Sequence, residues 1–454
     1  MKQPDTPRSG NQLAHALIRR HFKPRAVTKL VTTSRYFPGR LKVELIAPLA
    51  ALAAETGPEG FSGLYFPSDS KGTFTGLLVD DDEPVRLAAS HYEEVDLGLG
   101  ERFHCLRNGL WLGGAGGDRF AALYTCETDF QGDSKLRLEI AVIPGEAGGR
   151  QTRRILAGFD EAIKDTRVYR GRVLSFERDQ LFGYAGLRVH TLPEVTRDQV
   201  ILPERTLDLI ERNILGFCAR RDALAALGLP LKKGVLFYGP PGTGKTLTIR
   251  YIASALKEAT TFLVTAEEVA HLRDYTSLAR MIQPAIIVIE DVDLIAESKS
   301  SVYDPASHGL LNRLLNEMDG LREDAQILFI LTTNRPETLE PALAERPGRI
   351  DQAIEIPLPD DACRRRLIEL YSGKMPIAAE AFDDIIRRTK GATASFIREL
   401  IRRAAQLQLE AGCTGEVQAE IFLRAIEEMT LTGGRLTARL LGANPNAAGF
   451  IRAA

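Results

Sequence analysis

Apolar positions between about residues 196 and 357 alternate between short continuous runs and stretches with helical spacing. Short apolar runs are typical of buried strands, and helical stretches between them are typical of a parallel sheet covered by helices on both faces. The pattern therefore predicts a large, doubly wound α/β subdomain over 196–357. Its predicted strands are 235–238, 262–265, 286–289 and 327–331, and its predicted helices include 246–256 and 308–318.

The segments on either side have different patterns. After residue 358 we find only amphipathic helical spacing, which predicts a small helical lid over 358–436 and a flexible tail over 437–454. Residues 1–195 mix helical and strand patterns, which predicts an α+β N-terminal domain. The predicted elements are helices near 13–18 and 41–54, strands at 120–126, 136–143 and 168–176, a turn at the glycine-dense segment 109–117, and lid helices at 362–371, 382–388, 394–409 and 417–429.

Composition narrows the classes of function. The 454 residues carry 58 Lys and Arg against 60 Asp and Glu, so bulk charge gives no attraction to nucleic acid. The five cysteines are far apart and lack the spacing of a zinc site. No apolar run reaches the roughly 18 residues of a membrane span and no secretory signal opens the chain. We therefore expect a cytoplasmic protein without membrane insertion.

A phosphate-binding loop follows the predicted strand 235–238. Residues 239–246 read GPPGTGKT, which matches G-x-x-x-x-G-K-[ST] in full and precedes a predicted helix. Glycines allow successive backbone N–H groups to face phosphate oxygens, Lys245 reaches the β- and γ-phosphates, and the Thr246 hydroxyl can bind Mg²⁺. We assign ATP binding to Gly239, Pro240, Pro241, Gly242, Thr243, Gly244, Lys245, Thr246 and Leu247.

Two adjacent acidic residues end the predicted strand 286–289. Glu290 and Asp291 would lie at the sheet edge where ligands bind in open α/β sheets. One acid should serve the metal and the other the attacking water. The simpler alternative, that Asp291 and Asp293 are only residues of a strand-end turn, is disfavoured by the nearby phosphate-binding loop.

Further blocks make the chain resemble AAA+ ATPases, and more narrowly the classical AAA clade, over about 196–435. These blocks are 314–320 (LLNEMDG), 332–336 (TTNRP) and 341–351 (PALAERPGRID). The resemblance implies that Asn334 holds the attacking water and that Arg346 and Arg349 are arginine fingers offered to a neighbouring subunit. It thus implies a ring of identical subunits, of which a hexamer is the expected form. One residue more than usual precedes Arg346, so the assignment to Arg349 is the firmer one.

The acidic pair departs from the common order, which is Asp followed by Glu. By position, Glu290 inherits the Mg²⁺ site together with Thr246, and Asp291 inherits the role of catalytic base. The same reversed order and the lead-in Val200-Ile201-Leu202-Pro203 resemble the mitochondrial AAA chaperones that assemble the cytochrome bc complex. Their N-terminal membrane helix has no counterpart here, which puts their substrate and location in doubt.

The interval between the second and third predicted strands is short for this clade. Protein-threading members carry an aromatic-hydrophobic-Gly pore loop there, and residues 265–275 (TAEEVAHLRDY) lack that triplet. Tyr275 could replace the aromatic or simply pack at a helix end, and the second interpretation is favoured. Residues 391–395 (GATAS) resemble the lid-helix start that approaches the nucleotide, and the alternative is a plain N-cap at Thr393 or Ser395.

Three functions remain open at this stage. The first is a chaperone or remodelling ATPase whose 1–195 domain recruits a protein client and whose ring does the work. The second is a scaffold in which slow hydrolysis makes ATP an assembly switch, which the reversed acids and the missing pore aromatic favour. The third is a DNA-dependent ATPase, which the near-neutral charge disfavours most.

Overall fold

The computed structural model describes residues 13–67, 72–79, 83–128, 134–165, 168–179, 183–297, 306–339, 349–412 and 415–432. The chain divides into two compact units, 1–190 and 191–454. The predicted tail 437–454 lies outside the described residues. No helix in the described ranges is both long enough and apolar enough to cross a membrane.

The first unit is built on an antiparallel sheet. Its strands are β1 (Val31–Pro38), β2 (Phe61–Tyr65), β3 (Arg86–Ala88), β4 (Tyr92–Asp96), β5 (Arg102–Leu106), β6 (Asn108–Gly113), β7 (Phe120–Thr128), β8 (Ser134–Val142), β9 (Val173–Asp179) and β10 (Gly183–His190). Six of them form a sheet in the order β1-β8-β7-β6-β2-β3, while β4 pairs with β5 and β9 pairs with β10. Its helices are Ala14–Phe22, Pro24–Val27, Ile46–Thr56, Phe74–Leu77 and Glu146–Asp165, with short 3₁₀ turns at Gly39–Leu41 and Gly116–Asp118.

The glycine-dense segment of this unit differs from the sequence interpretation. Residues 109–113 belong to strand β6, and the predicted turn is limited to the residues that follow. A Cβ on Gly109 would lie 2.7 Å from a ring carbon of Phe61, and one on Gly113 would lie 2.5 Å from a ring carbon of Phe120. These glycines therefore make room for aromatic side chains in a buried sheet. The helix expected at 41–54 also begins later, at Ile46.

The second unit contains a parallel sheet. Its strands are β11 (Lys233–Tyr238), β12 (Thr260–Val264), β13 (Ala285–Ile289), β14 (Ile327–Thr333) and β15 (Gln352–Glu355). They lie in the order β12-β13-β14-β11-β15, and the pairs β12–β13, β13–β14, β14–β11 and β11–β15 are all parallel. β13 and β14 are buried along their whole length, as expected for strands covered on both faces. The predicted parallel α/β sheet is confirmed.

Helices surround this sheet and follow it along the chain. Those of the sheet region are Glu204–Ile210, Gly216–Ala219, Arg221–Ala226, Lys245–Ala255, Leu272–Met281, Val292–Glu297 and Ala306–Asp319, with a π turn at Glu211–Leu215 and 3₁₀ turns at Arg197–Gln199, Ala266–His271 and Pro336–Thr338. The later helices are Asp361–Ser372, Ala379–Arg388, Ala394–Glu410 and Ala419–Glu427, followed by a π turn at Glu428–Thr432. These later helices share a hydrophobic core that contains Phe396, Leu400 and Phe422.

Tyr275 is part of the core. Its side chain is fully buried, and its ring packs edge-on against Phe262 with 6.0 Å between centroids. Val269 and Leu272 on the same segment are also buried. The interpretation of Tyr275 as a packed helix residue is confirmed, and it cannot serve as an exposed pore aromatic in this conformation.

Candidate functional site

Three loops meet at the carboxyl edge of the parallel sheet. β14 lies between β13 and β11, so these three strands are neighbours. The loop 239–244 follows β11, the two adjacent acids follow β13, and Asn334 follows β14. Because parallel strands end at the same edge, the predicted site residues on these loops come together.

The phosphate-binding loop has the backbone conformation that its glycines allow. Gly239, Gly242 and Gly244 have φ values of 145°, 79° and 111°, which side chains of L residues rarely permit. A Cβ on Gly239 would also overlap the carbonyl oxygen of Ile356. The helix Lys245–Ala255 begins without a side-chain cap. Its first N–H groups and its positive dipole end are therefore suited to phosphate oxygens.

Lys245 lies within this loop. Its Nζ donates hydrogen bonds to the carbonyl oxygens of Gly239 at 2.7 Å and Pro240 at 3.0 Å. Burial lowers the pKa of Lys245, and the nearby carboxylates of Asp291 and Asp293 act in the opposite direction. An ammonium group has three donors. The third is left for a phosphate oxygen.

Thr246 and Glu290 form the predicted metal position. The Thr246 hydroxyl donates to Glu290 Oε1 at 2.8 Å, and the Thr246 residue is exposed. A hydroxyl and a single carboxylate fit Mg²⁺, which is commonly held by one or two carboxylates together with substrate phosphates and water. The described residues contain no cluster of three or more His, Cys, Asp or Glu that could hold a metal ion. Mg²⁺ would therefore need oxygen atoms from the nucleotide to complete its coordination.

Asp291 and Asn334 are brought together from neighbouring strands. Asn334 Nδ2 donates to Asp291 Oδ1 at 3.0 Å, and the Asp291 backbone N–H donates to Thr332 Oγ1 at 3.0 Å. Asp291 has a φ of 51°. Asp and Asn adopt this left-handed conformation more readily than other residues with side chains. The backbone at this position thus favours the shorter acid.

The two predicted arginine fingers have different outcomes. Arg346 lies outside the described residues. Arg349 is described, and its side chain is largely buried and forms an ion pair with Asp319 of the same chain. Among the described residues that line the cavity at the phosphate-binding loop, Arg349 is absent. The structure therefore does not bring Arg349 to the site of its own chain.

A cavity of about 400 Å³ opens beside the phosphate-binding loop. Its lining includes the segments 199–202 and 241–248, the catalytic-edge residues Asp291, Thr332 and Asn334, and the lid residues Tyr371, Ala394, Ser395 and Arg398. A volume of this size is within the range of small-molecule and cofactor sites. The residues present thus fit a nucleotide whose phosphates lie on the loop.

The segment 391–395 contains a helix N-cap and contacts the phosphate-binding loop. Thr393 caps the helix Ala394–Glu410 by accepting the Phe396 N–H at 3.2 Å. The Ser395 N–H donates to the carbonyl oxygen of Gly242 at 3.1 Å. The segment is therefore an N-cap that also contacts the phosphate-binding loop.

Sequence interpretation missed several residues of the cavity, among them Gln199, Tyr371 and Arg398. Arg398 follows Ser395 by three positions, so helical spacing places both on one face of the lid helix. That signal was available in the sequence. Tyr371 and Gln199 come from segments distant along the chain, and only packing brings them to the site.

Comparisons with known proteins agree with this geometry. Residues 235–358 match the family model described as "ATPase family associated with various cellular activities (AAA)". The chain is 31% identical to a cell division cycle protein 48 homolog of Archaeoglobus fulgidus over 56% of this chain and 36% of that protein. It is 29% identical to the proteasome-activating nucleotidase of Methanothermobacter thermautotrophicus over 57% of this chain and 65% of that protein.

A third relative is matched over a larger share of its own length. The chain is 30% identical to the 26S proteasome regulatory subunit 6A of Encephalitozoon cuniculi, over 59% of this chain and 69% of that protein. The first two matches cover about a third and just under two thirds of those relatives. By this similarity and by the matched ATPase domain, the chain belongs to the AAA family of ATPases, and the predicted ATPase activity is confirmed at the level of that family.

Proposed function

We propose that this AAA domain hydrolyses MgATP with Asp291 as the catalytic base and Glu290 as the carboxylate that helps to hold Mg²⁺. The observation that carries the proposal is the pairing of each acid with a different partner. Glu290 accepts a hydrogen bond from the Thr246 hydroxyl, whereas Asp291 accepts one from the Asn334 side-chain amide. This division of contacts supports separate roles for the two acids in the reversed order.

The remaining residues of the site contribute positioning and charge. Bound Mg²⁺ supplies neutralisation of the phosphate charge that develops during phosphoryl transfer. Lys245 and the backbone N–H groups of the loop bind and orient phosphate oxygens. Thr246 and Glu290 would hold the metal ion. Asp291 would accept a proton from the attacking water, and Asn334 orients Asp291.

The reversed order of the acids has a structural rationale. Position 291 requires a positive φ, which Asp tolerates better than Glu. The longer Glu290 reaches Thr246 from the preceding position. The same order, together with the lead-in at 200–203, is the basis of the resemblance to the cytochrome bc assembly chaperones. We include that kinship in the proposal as its most specific form.

The proposed assembly is a ring of identical subunits, with a hexamer as the expected form. Arg349 is not among the described residues that line the cavity of its own chain, so its use as a finger requires a neighbouring subunit's site. Its ion pair with Asp319 keeps the guanidinium in a defined place within its own chain. An arginine supplied in trans accelerates phosphoryl transfer by about 10³–10⁵ in well-studied NTPases.

We propose that the free energy of ATP hydrolysis is used to remodel a protein client, which residues 1–195 recruit. Support comes from relatives whose names refer to proteasome activation and regulation. A slow assembly switch is the second candidate, and burial of Tyr275 favours it because an aromatic grip on a threaded chain is missing there.

The decisive experiment compares wild type with Asp291→Asn. Asn tolerates the left-handed backbone and keeps the side-chain size, so nucleotide binding should be unchanged while single-turnover hydrolysis is lost. Normal hydrolysis by Asp291→Asn would overturn the base assignment. The wild-type rate separates the two candidates, because a switch should be far slower than the roughly 1–10³ s⁻¹ of typical enzymes.

A mixing experiment tests the ring. Arg349→Ala subunits titrated into wild type should lower activity more than dilution does, because each variant subunit also disables its neighbour. Loss in strict proportion to the variant fraction would contradict a finger in trans. Capture of protein clients on the full-length Asp291→Asn variant, with cross-linking to locate the residues that contact them, tests recruitment by the first unit.

A further inference from the structure

A buried acid lies next to the pair formed by Asp291 and Asn334. Asp293 is 4% exposed, and its Oδ1 accepts two hydrogen bonds from the end of β14. The donors are the Thr333 hydroxyl at 2.8 Å and the Asn334 backbone N–H at 3.2 Å. Asp293 is not among the described residues that line the cavity. Asp293 therefore acts on the end of β14 and on Asn334, which follows that strand.

Thr333 connects this acid to the strand end. Its side chain is fully buried, donates to Asp293, and accepts the backbone N–H of Arg335 at 2.9 Å. Asn334 is therefore flanked by two hydrogen bonds that fix its backbone. A residue held in this way presents its side-chain amide in one direction, which is the direction of Asp291 Oδ1.

We infer that Asp293 and Thr333 are positioning residues for hydrolysis, which act by holding Asn334 against Asp291. The inference rests on the proposed roles of Asp291 and Asn334. Hydrogen bonds to a buried carboxylate are stronger than neutral ones, so this contact resists displacement. Release of the strand end would let the amide move away from the base. A displacement of about 1 Å in a catalytic group can cost roughly 10²-fold in rate.

The inference predicts a specific kinetic signature. Positioning of Asn334 affects the chemical step, whereas phosphate binding depends on the loop and Lys245. Loss of the positioning contacts should therefore lower the hydrolysis rate and leave MgATP affinity unchanged. A merely structural role would lower the folded fraction or weaken binding in parallel with the rate.

The primary variant is Thr333→Val, which keeps the branched shape, removes the hydroxyl, and leaves the charge of Asp293 in place. This choice matters because the Asp293 carboxylate also interacts with Lys245. Thr261→Val is the matched control, since Thr261 is a buried threonine of the same sheet near the amino end of β12. Asp293→Asn is the conservative variant, because its amide oxygen can still accept from Thr333.

The full chain carrying each substitution is assayed for MgATP affinity, single-turnover hydrolysis and thermal midpoint. We expect Thr333→Val to hydrolyse about tenfold to 100-fold more slowly at unchanged affinity. Thr261→Val should match wild type, and Asp293→Asn should retain more activity than Thr333→Val. A wild-type rate for Thr333→Val, or a rate loss matched by weaker MgATP binding, would overturn the inference.

Asp291→Asn is included so that two failures can be told apart. If Asp291→Asn is inactive while Thr333→Val is fully active, only the positioning role is wrong. If Asp291→Asn hydrolyses ATP normally, the proposed base is wrong and the positioning role falls with it.

Discussion

Shortening Glu290 by one methylene tests the metal side of the site. The Thr246 hydroxyl and Glu290 Oε1 are 2.8 Å apart. Glu290→Asp withdraws the carboxylate by about 1.5 Å, the length of one C–C bond, so the gap grows to about 4.3 Å and exceeds hydrogen-bonding range. Contacts to a charged group contribute about 1.5–3 kcal/mol, and a carboxylate withdrawn by this length would lose its contact to the metal as well as to Thr246. The Mg²⁺ affinity of the nucleotide complex should therefore fall by roughly tenfold to 150-fold.

Single-turnover hydrolysis at saturating ATP, measured while Mg²⁺ is titrated, reads this affinity directly. We expect the half-saturating Mg²⁺ concentration to rise in Glu290→Asp and to stay constant in Glu369→Asp, an exposed glutamate on the helix Asp361–Ser372. Loss of hydrolysis that excess Mg²⁺ cannot restore would assign Glu290 a role in the chemical step. An unchanged Mg²⁺ requirement in Glu290→Asp would refute the reasoning from side-chain length.

Three further outcomes follow from single positions. Gly234→Ala should lose about 1–3 kcal/mol of unfolding free energy in urea, because its Cβ would overlap the backbone oxygen of Arg349, and an unchanged urea midpoint would contradict this. Burial raises the pKa of Cys105 and of Cys363 to about 12, so iodoacetamide at neutral pH should modify them only after denaturation, as mass spectrometry can check. Burial also lowers the pKa of Lys245. Nucleotide affinity measured against pH should therefore be constant near neutrality and begin to fall at a pH below about 10.4, the ordinary pKa of lysine, as the ammonium deprotonates.

The predicted strands of the ATPase sheet agree closely with the structure because each is a short apolar run between breaks. Residues 286–289 and 327–331 were expected as strands, and β13 and β14 contain them. Patterns in the first unit were less informative. Its strands β2 to β5 are short and partly exposed, so their polar and apolar residues do not form a clear alternation.

The phosphate-binding loop shows what a local stretch of sequence can predict. Its glycines, its lysine and its threonine are contiguous, and their spacing alone predicts the backbone curvature that the φ values show. The acids at 290 and 291 were also identified from the end of an apolar run. The sequence also placed Glu290 with Thr246 at the metal position, but the hydrogen bonds themselves come from the structure, because Thr246 begins a helix after β11 and Asn334 follows β14.

The sequence by itself determined that this chain binds ATP with a phosphate-binding loop and belongs among the AAA proteins, since those signals lie in contiguous blocks. Only the tertiary structure gave the hydrogen bonds that join Glu290 to Thr246 and Asp291 to Asn334, the contact of Asp293 with the end of β14, and the burial of Tyr275. The physical reason is that strand order and side-chain packing join residues far apart in the chain. Spacing along the sequence carries no measure of those distances.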